Sequence, residues 1–112
     1  MKCSVCRTGE IVSSHVKLAT NFMARLKGLM FCKTLPAGDS LLLDPCPQIH
    51  TCFMRFQIDV IFLDHQNRVV AVRENIKPWR MTRFYLGAKR ALELPGNSLQ
   101  GRVHCGDELI FN

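Results

Sequence analysis

The segment Gln48–Ile76, QIHTCFMRFQIDVIFLDHQNRVVAVRENI, carries the greatest concentration of apolar side chains in the chain and predicts three successive β-strands. Residues Ile58–Leu63 are apolar on both faces apart from Asp59, and Val69–Val72 repeats the pattern, which is typical of strands covered on both sides. The turn-forming residues Asp64–Asn67 predict a short hairpin between them. We therefore expect this hairpin to lie at the centre of a sheet.

Two side chains in this segment are candidates for chemistry. Asp59 shares a face with Ile61 and Leu63 because side chains alternate along a strand, so its carboxylate either points into apolar surroundings or lies at a strand end near water. A buried carboxylate without a partner has a raised pKa, whereas one beside an arginine has a lowered pKa. In the preceding predicted strand, His50 shares a face with Cys52 and Met54, where it is either a general base or a histidine bonded to the backbone.

Shorter patterns flank this segment and complete the predicted fold. Thr20 or Asn21 can cap a short helix that ends at Gly28. Four more strands are expected: Glu10–Ala19 near an edge, Leu41–Leu43, Arg90–Leu94 and Glu108–Phe111. The sequence thus predicts an all-β fold, a compact barrel-like or sandwich domain of short, mostly antiparallel strands with one short helix.

Length and composition limit the possible classes of protein. The 112 residues, 47% hydrophobic and 21% charged, fit one globular domain over residues 1–112. No apolar run reaches the roughly 18 residues of a membrane span, and residues 1–10 lack the apolar core of a signal peptide, so we expect a cytoplasmic protein. The six cysteines are then expected to be reduced thiols.

Cys3 and Cys6, followed by Gly9, have the spacing of half a zinc site. A structural zinc needs two further ligands, and no second closely spaced pair of cysteines or histidines supplies them. We expect residues 1–9 to form a flexible extension, with zinc binding as the alternative. No other cofactor is indicated.

The net charge of +6 is concentrated in one segment that contains no acid, Asn75–Leu92. Its cations are Lys77, Arg80, Arg83, Lys89 and Arg90, and they are interleaved with Trp79, Phe84 and Tyr85. Such a segment can bind phosphates and stack on bases, as in proteins that bind single-stranded nucleic acid. We favour a crossover loop with its aromatic rings in the core and its cations in water, and anion binding is the alternative.

Four blocks give the chain a family resemblance: Arg25–Met30, His50–Asp64, Leu92–Gly96 and Gly106–Asp107. Over residues 16–111 the chain resembles the DUF192 family in the content and order of these blocks. The resemblance implies a compact all-β barrel-like or sandwich domain with little helix, and it implies no specific activity. The positions that match the recurrent blocks are Arg25, Gly28, Met30, Met54, Asp59, Glu93, Gly96 and Asp107.

Three function classes are compatible with these observations, and a small soluble binding or accessory module is favoured. Its cleft would be lined by Arg25, His50, Met54 and Asp59 and would accept a small ligand or a protein partner. The second class is an enzyme in which Asp59 or His50 is a general base. The third is polyanion or nucleic-acid binding through residues 77–90. An enzyme is less favoured because the sequence holds no complete catalytic set of residues.

Overall fold

The computed structural model describes residues 1–21, 24, 28–30 and 32–112. These residues form eight strands: β1 (Cys3–Val5), β2 (Ile11–Ser13), β3 (His15–Ala19), β4 (Asp39–Leu43), β5 (Ile58–Leu63), β6 (Val69–Ile76), β7 (Arg90–Pro95) and β8 (Leu109–Phe111). The strands make a three-stranded sheet, β2-β1-β8, and a five-stranded sheet, β3-β4-β7-β5-β6. Neighbours are antiparallel except for β3 and β4, which are parallel. The predicted all-β fold is confirmed, and of its two forms the described strands make the sandwich.

The five-stranded sheet is apolar on both faces and therefore builds two cores. One face, which includes Ile61 and Leu92, packs against the three-stranded sheet and forms the first core. The opposite face, which includes Val60 and Phe62, is covered by irregular chain and forms the second core. Side-chain alternation thus decides which core each residue of β5 and β7 enters.

The central hairpin is confirmed, with one correction to its position. All six residues of β5 are buried, and the strand lies between β7 and β6. However, β6 is an edge strand, and Val70, Ala71 and Val72 are only half-buried. The prediction that both strands are central was wrong for β6, because an apolar run indicates burial but does not specify a second neighbouring strand.

The strand predicted around His50 is not formed. His50 makes a single antiparallel bridge with Met81, and the chain then turns, with the Met54 amide donating a hydrogen bond to the Thr51 carbonyl at 3.2 Å. Phe53 has a φ of 65°, in the left-handed region. A left-handed residue redirects the chain, so the alternation that predicted a strand ends there.

Residues 1–9 are not a flexible extension, which corrects another prediction. β1 is the middle strand of its sheet, and the side chains of Cys3 and Val5 are buried in the first core. Arg7 binds Asp107 through two hydrogen bonds, of 3.0 and 3.1 Å. Three residues are too short an alternation to be recognised as a strand without the neighbours that pair with them.

The segment predicted as a strand over Glu10–Ala19 is divided at Ser14 into β2 and β3, and each is the edge strand of a different sheet.

At the start of the predicted helix, the Asn21 side chain accepts a hydrogen bond from the Ala24 amide at 2.7 Å, as a helix cap does. Gly28 has a positive φ of 48°. Arg25 and most of the other residues of the predicted helix lie outside the described residues.

Asp107 is expected to stabilise the fold only while it is ionised. Arg7 and the His104 amide hold the pKa of Asp107 down at about 2, so its contribution is present above pH 3.8 and is lost as the pH falls through 2. We expect Asp107→Asn to lower the free energy of unfolding at neutral pH by about 1 kcal/mol, since the half-exposed Arg7 is screened by water. Urea unfolding near neutral pH and near pH 2 checks this, and an equal loss at both would contradict it.

Candidate ligand-binding site

Glu93 is a carboxylic acid in the middle of the larger sheet. It lies on β7, opposite Leu41 of β4 on one side and Val60 of β5 on the other. Both of these partners belong to the second core, so the Glu93 side chain enters that core as well. Only 3% of Glu93 is exposed, and burial raises its pKa from 4.5 to about 8. At neutral pH the side chain is therefore mainly the uncharged acid.

The Glu93 carboxyl opens on a cavity. Among the described residues, none donates a hydrogen bond to it or pairs with it, and desolvation is the one cause of its raised pKa. In the described part of the chain, no side-chain oxygen or nitrogen is both shielded from solvent and without a hydrogen-bond partner. Glu93 lines the cavity, so a ligand bound there could pair with a carboxyl group that has no partner among the described residues.

The cavity has a volume of about 50 Å³ and mostly apolar walls. This is room for roughly one or two water molecules, or for a terminal group of a ligand. We call it the Glu93 cavity, and it is lined by Gly28, Leu29, Met30, Leu43, Cys46, Gln48, Ile49, His50, Met54 and Glu93.

His50 places a second polar group on the same cavity. Its Nδ1 accepts a hydrogen bond from the Cys52 amide at 3.2 Å. A neutral imidazole that accepts at Nδ1 carries its proton on Nε2, so the remaining nitrogen is a donor. The structure thus brings together His50 and Met54, as the sequence predicted, but their acidic companion is Glu93.

Asp59 is not part of this site, which corrects the predicted cleft. Asp59 lies opposite Leu94 whereas Glu93 lies opposite Val60, so the two carboxyl groups point to opposite faces of the sheet. Asp59 is fully buried, and its oxygens accept hydrogen bonds from the amides of Asn75 at 2.8 Å, Asn97 at 3.3 Å and Leu99 at 2.9 Å. Its role is to join three chain segments, and a role as general base is not supported.

The other residue predicted for the cleft, Arg25, lies outside the described residues. Glu93 was singled out only by the family resemblance and was given no role. The signal that could have identified it is the one that drew attention to Asp59, namely a lone acid between apolar neighbours, here Leu92 and Leu94, inside a strand. A buried acid in a central strand needs either a structural partner or a function.

A larger cavity, of about 520 Å³, lies beside the edge strand β3 and its neighbour β4. On its lining, His15 Nδ1 lies 3.5 Å from Asp39 Oδ1, and both side chains are well exposed. None of the described residues that line it is a buried acid, base or cysteine. Size favours this cavity, but the chemistry of the lining favours the Glu93 cavity as the functional site.

The structure does not bring the predicted zinc ligands, Cys3 and Cys6, together with further ligands from the described residues. Cys3 is buried in the first core, which raises the pKa of its thiol to about 12, whereas Cys6 is exposed. Zinc binds the thiolate, which this burial disfavours. Within the described ranges there is no group of three or more histidine, cysteine or acidic side chains that could hold a metal ion. All six cysteines are free thiols.

The basic segment differs from its prediction in two respects. Trp79 and Phe84 are 58% and 56% exposed, so the expectation that these rings are anchored in the core was wrong; Tyr85 does pack on Phe62, at 4.5 Å between ring centroids. Arg90 is not a free cation, because it binds the Asp44 carboxylate at 3.1 Å. Lys77, Arg80, Arg83 and Lys89 are exposed.

The comparisons with known proteins agree with the family resemblance. The model of the DUF192 family, described as an uncharacterized ACR, matches residues 4–111. The chain belongs to the DUF192 family. Among its relatives, a UPF0127 protein of Pyrococcus furiosus is 35% identical and covers 93% of this chain and 92% of its own length. A UPF0127 protein of Thermococcus sibiricus is also 35% identical, over 90% of this chain and 68% of its own.

Two solved structures share the fold of this DUF192 protein. A protein of unknown function from Novosphingobium aromaticivorans superposes with a TM-score of 0.84 at 20% identity, over 99% of this chain and 84% of the other. A putative transcription regulator from Sinorhizobium meliloti superposes with a TM-score of 0.78 at 20% identity, over 97% and 89%. At this identity the similarity is one of fold alone. In the described part of this DUF192 chain, no helix is long and apolar enough to cross a membrane.

Proposed function

We propose that this DUF192 protein is a binding module whose Glu93 cavity receives an uncharged polar group at the end of a small ligand. The observation that carries the proposal is Glu93, a residue that is only 3% exposed, that lines the cavity and whose carboxyl group has no partner among the described residues. Leaving such a group unsatisfied costs about 1 to 3 kcal/mol, which a ligand that pairs with it would recover.

The state of Glu93 indicates the chemical class of the ligand. With a pKa of about 8, the acid keeps its proton at neutral pH and can both donate and accept a hydrogen bond. A hydroxyl or carboxamide group complements it, and Leu43, Ile49 and Met54 would contact the adjoining carbon atoms. A cationic amine would instead have to displace the proton and lose its hydration inside apolar walls, which is unfavourable.

Two variants at Glu93 test this proposal. Glu93→Gln keeps an uncharged donor and acceptor, whereas Glu93→Leu fills the same space without either. In a thermal-shift screen of small alcohols, amides and amines, we expect a hydroxyl or carboxamide ligand to stabilise the wild type and Glu93→Gln, and to bind Glu93→Leu about tenfold more weakly. Glu108→Gln, at an exposed acid outside the cavity, is the matched control.

The possible outcomes distinguish the alternatives. An amine that binds the wild type but not Glu93→Gln would show that the site takes cations and would refute the uncharged class. If no compound shifts the melting temperature, and Glu93→Leu is as stable as the wild type, the cavity is a structural void filled by water.

A second candidate is an enzyme, favoured by the presence of His50 and Glu93 on one cavity. An acid with a pKa of about 8 can transfer a proton near neutral pH, as a general acid requires. A ligand that the wild type converts and Glu93→Gln binds unchanged would establish this function.

We also propose that the protein is located in the cytoplasm, since six free cysteines persist in a reducing compartment.

A further inference from the structure

We infer that three exposed rings, Phe53, Trp79 and Phe84, and three exposed cations, Lys77, Arg80 and Arg83, together bind single-stranded nucleic acid. We call these six residues the basic-aromatic surface. Its aromatic rings would stack on bases and its cations would contact phosphates. The inference does not depend on the Glu93 cavity, because none of these six residues lines that cavity.

The three rings are exposed to a degree that folding alone does not require. Phe53, Trp79 and Phe84 are 47%, 58% and 56% exposed. Phe53 and Trp79 contact each other, with 4.7 Å between their ring centroids, and so form a paired aromatic surface instead of two isolated side chains. Every base has a flat face that can stack on such rings, whatever the sequence.

The backbone holds two of these rings in an unfavourable conformation. Phe53 and Trp79 have φ values of 65° and 64°, in the left-handed region that bulky side chains rarely occupy. Residues held in this region cost some conformational free energy, and residues of this kind cluster at binding sites. The fold therefore maintains these exposed rings at the expense of some stability.

The segment that carries the rings is fixed to the body of the protein. The buried Thr51 side chain donates a hydrogen bond to the Lys77 carbonyl at 2.6 Å and accepts one from the Arg80 amide at 2.8 Å. The Thr82 amide donates to the Ile49 carbonyl at 2.9 Å. Aromatic side chains on an ordered backbone lose little further conformational entropy when a ligand binds.

The charge of this surface favours a polyanion. Within the described ranges, no carboxylate lies at ion-pair distance from Lys77, Arg80 or Arg83. Arg83 instead lies over the Tyr85 ring at 5.3 Å, which leaves its charge available. Cations and rings are also interleaved along the chain from Lys77 to Phe84, so a base and its phosphate can be contacted by neighbouring residues.

A membrane with anionic lipids is the competing partner, since Met81 and Leu86 are also exposed, at 69% and 89%. These aliphatic side chains would insert among lipids but have no flat face on which a base can stack. The three rings and three cations on an ordered backbone favour the single strand. The lipid surface is therefore an outcome that the experiment must be able to detect.

The experiment measures binding of the wild type to a short oligothymidine by anisotropy and by quenching of Trp79, the one tryptophan in the chain. We expect binding with quenching, and an affinity that falls between about 50 mM and about 200 mM salt with a logarithmic slope of about −2, as three phosphate contacts require. Arg80→Glu with Arg83→Glu should weaken binding at least about tenfold at the lower salt, and Trp79→Ala should weaken it with no change in net charge.

Lys2→Glu with Lys33→Glu is the matched control, because it changes the net charge equally at exposed positions elsewhere. An equal loss of affinity in this control would show a non-specific charge effect and overturn the inference. So would the absence of binding at the lower salt. Binding to phosphatidylcholine vesicles with about one-third phosphatidylserine, but not to the oligonucleotide, would assign the surface to membranes.

Discussion

Glu93→Gln is expected to be more stable than the wild type at alkaline pH and about equal to it at pH 5. In the folded protein the pKa of Glu93 is about 8, against 4.5 for an unperturbed glutamic acid. Between these values the folded state binds a proton that the unfolded state has released, so the stability of the wild type falls as the pH rises through this range. Above pH 8 the loss reaches up to about 5 kcal/mol, since each pKa unit corresponds to about 1.4 kcal/mol.

Urea unfolding of both proteins at about pH 5, 7 and 9 measures this difference. Glutamine has nearly the same shape and is never charged, so it removes the cost of a buried carboxylate without leaving a larger cavity. Glu108→Gln, at an exposed position, should leave the pH dependence unchanged. A wild type and a Glu93→Gln variant with parallel stability curves would mean that Glu93 does not have a raised pKa.

Asp59→Ala is expected to lower the free energy of unfolding by about 4 kcal/mol. The substitution leaves the buried amide of Leu99 and the part-buried amides of Asn75 and Asn97 without their acceptor. An unsatisfied buried donor costs about 1 to 3 kcal/mol, and water offsets part of this cost at the two part-buried amides. Asp59→Asn retains one acceptor oxygen, so we expect about half of that loss.

The matched control for Asp59 is Asp64→Ala. The Asp64 carboxylate also accepts backbone hydrogen bonds, from Gln66 at 2.8 Å and Arg68 at 2.9 Å, but these bonds are local and exposed to solvent. We expect its loss to be well under half that of Asp59→Ala. Equal losses for the two variants in urea unfolding would show that the buried, long-range position of Asp59 adds nothing to stability.

Asp59 and Glu93 also show how far the sequence could predict the site. Both are lone acidic residues in apolar strands, and the sequence identified Asp59 as needing a partner. It could not show that the partners would be three backbone amides, since these come from segments 16, 38 and 40 residues away along the chain. Nor could it place Asp59 and Glu93 on opposite faces, because the face that each takes depends on the register between β5 and β7.

The sequence alone determined the all-β class, the hairpin of β5 and β6, and strands β4, β7 and β8, because alternation and turn residues act locally. The tertiary structure alone decided that β6 lies at an edge, that β1 is an internal strand, and that Trp79 and Phe84 face solvent. It also assembled His50, Met54 and Glu93 around one cavity. Local pattern specifies which side chains must be buried, whereas contacts between distant segments decide where they are buried and what they meet.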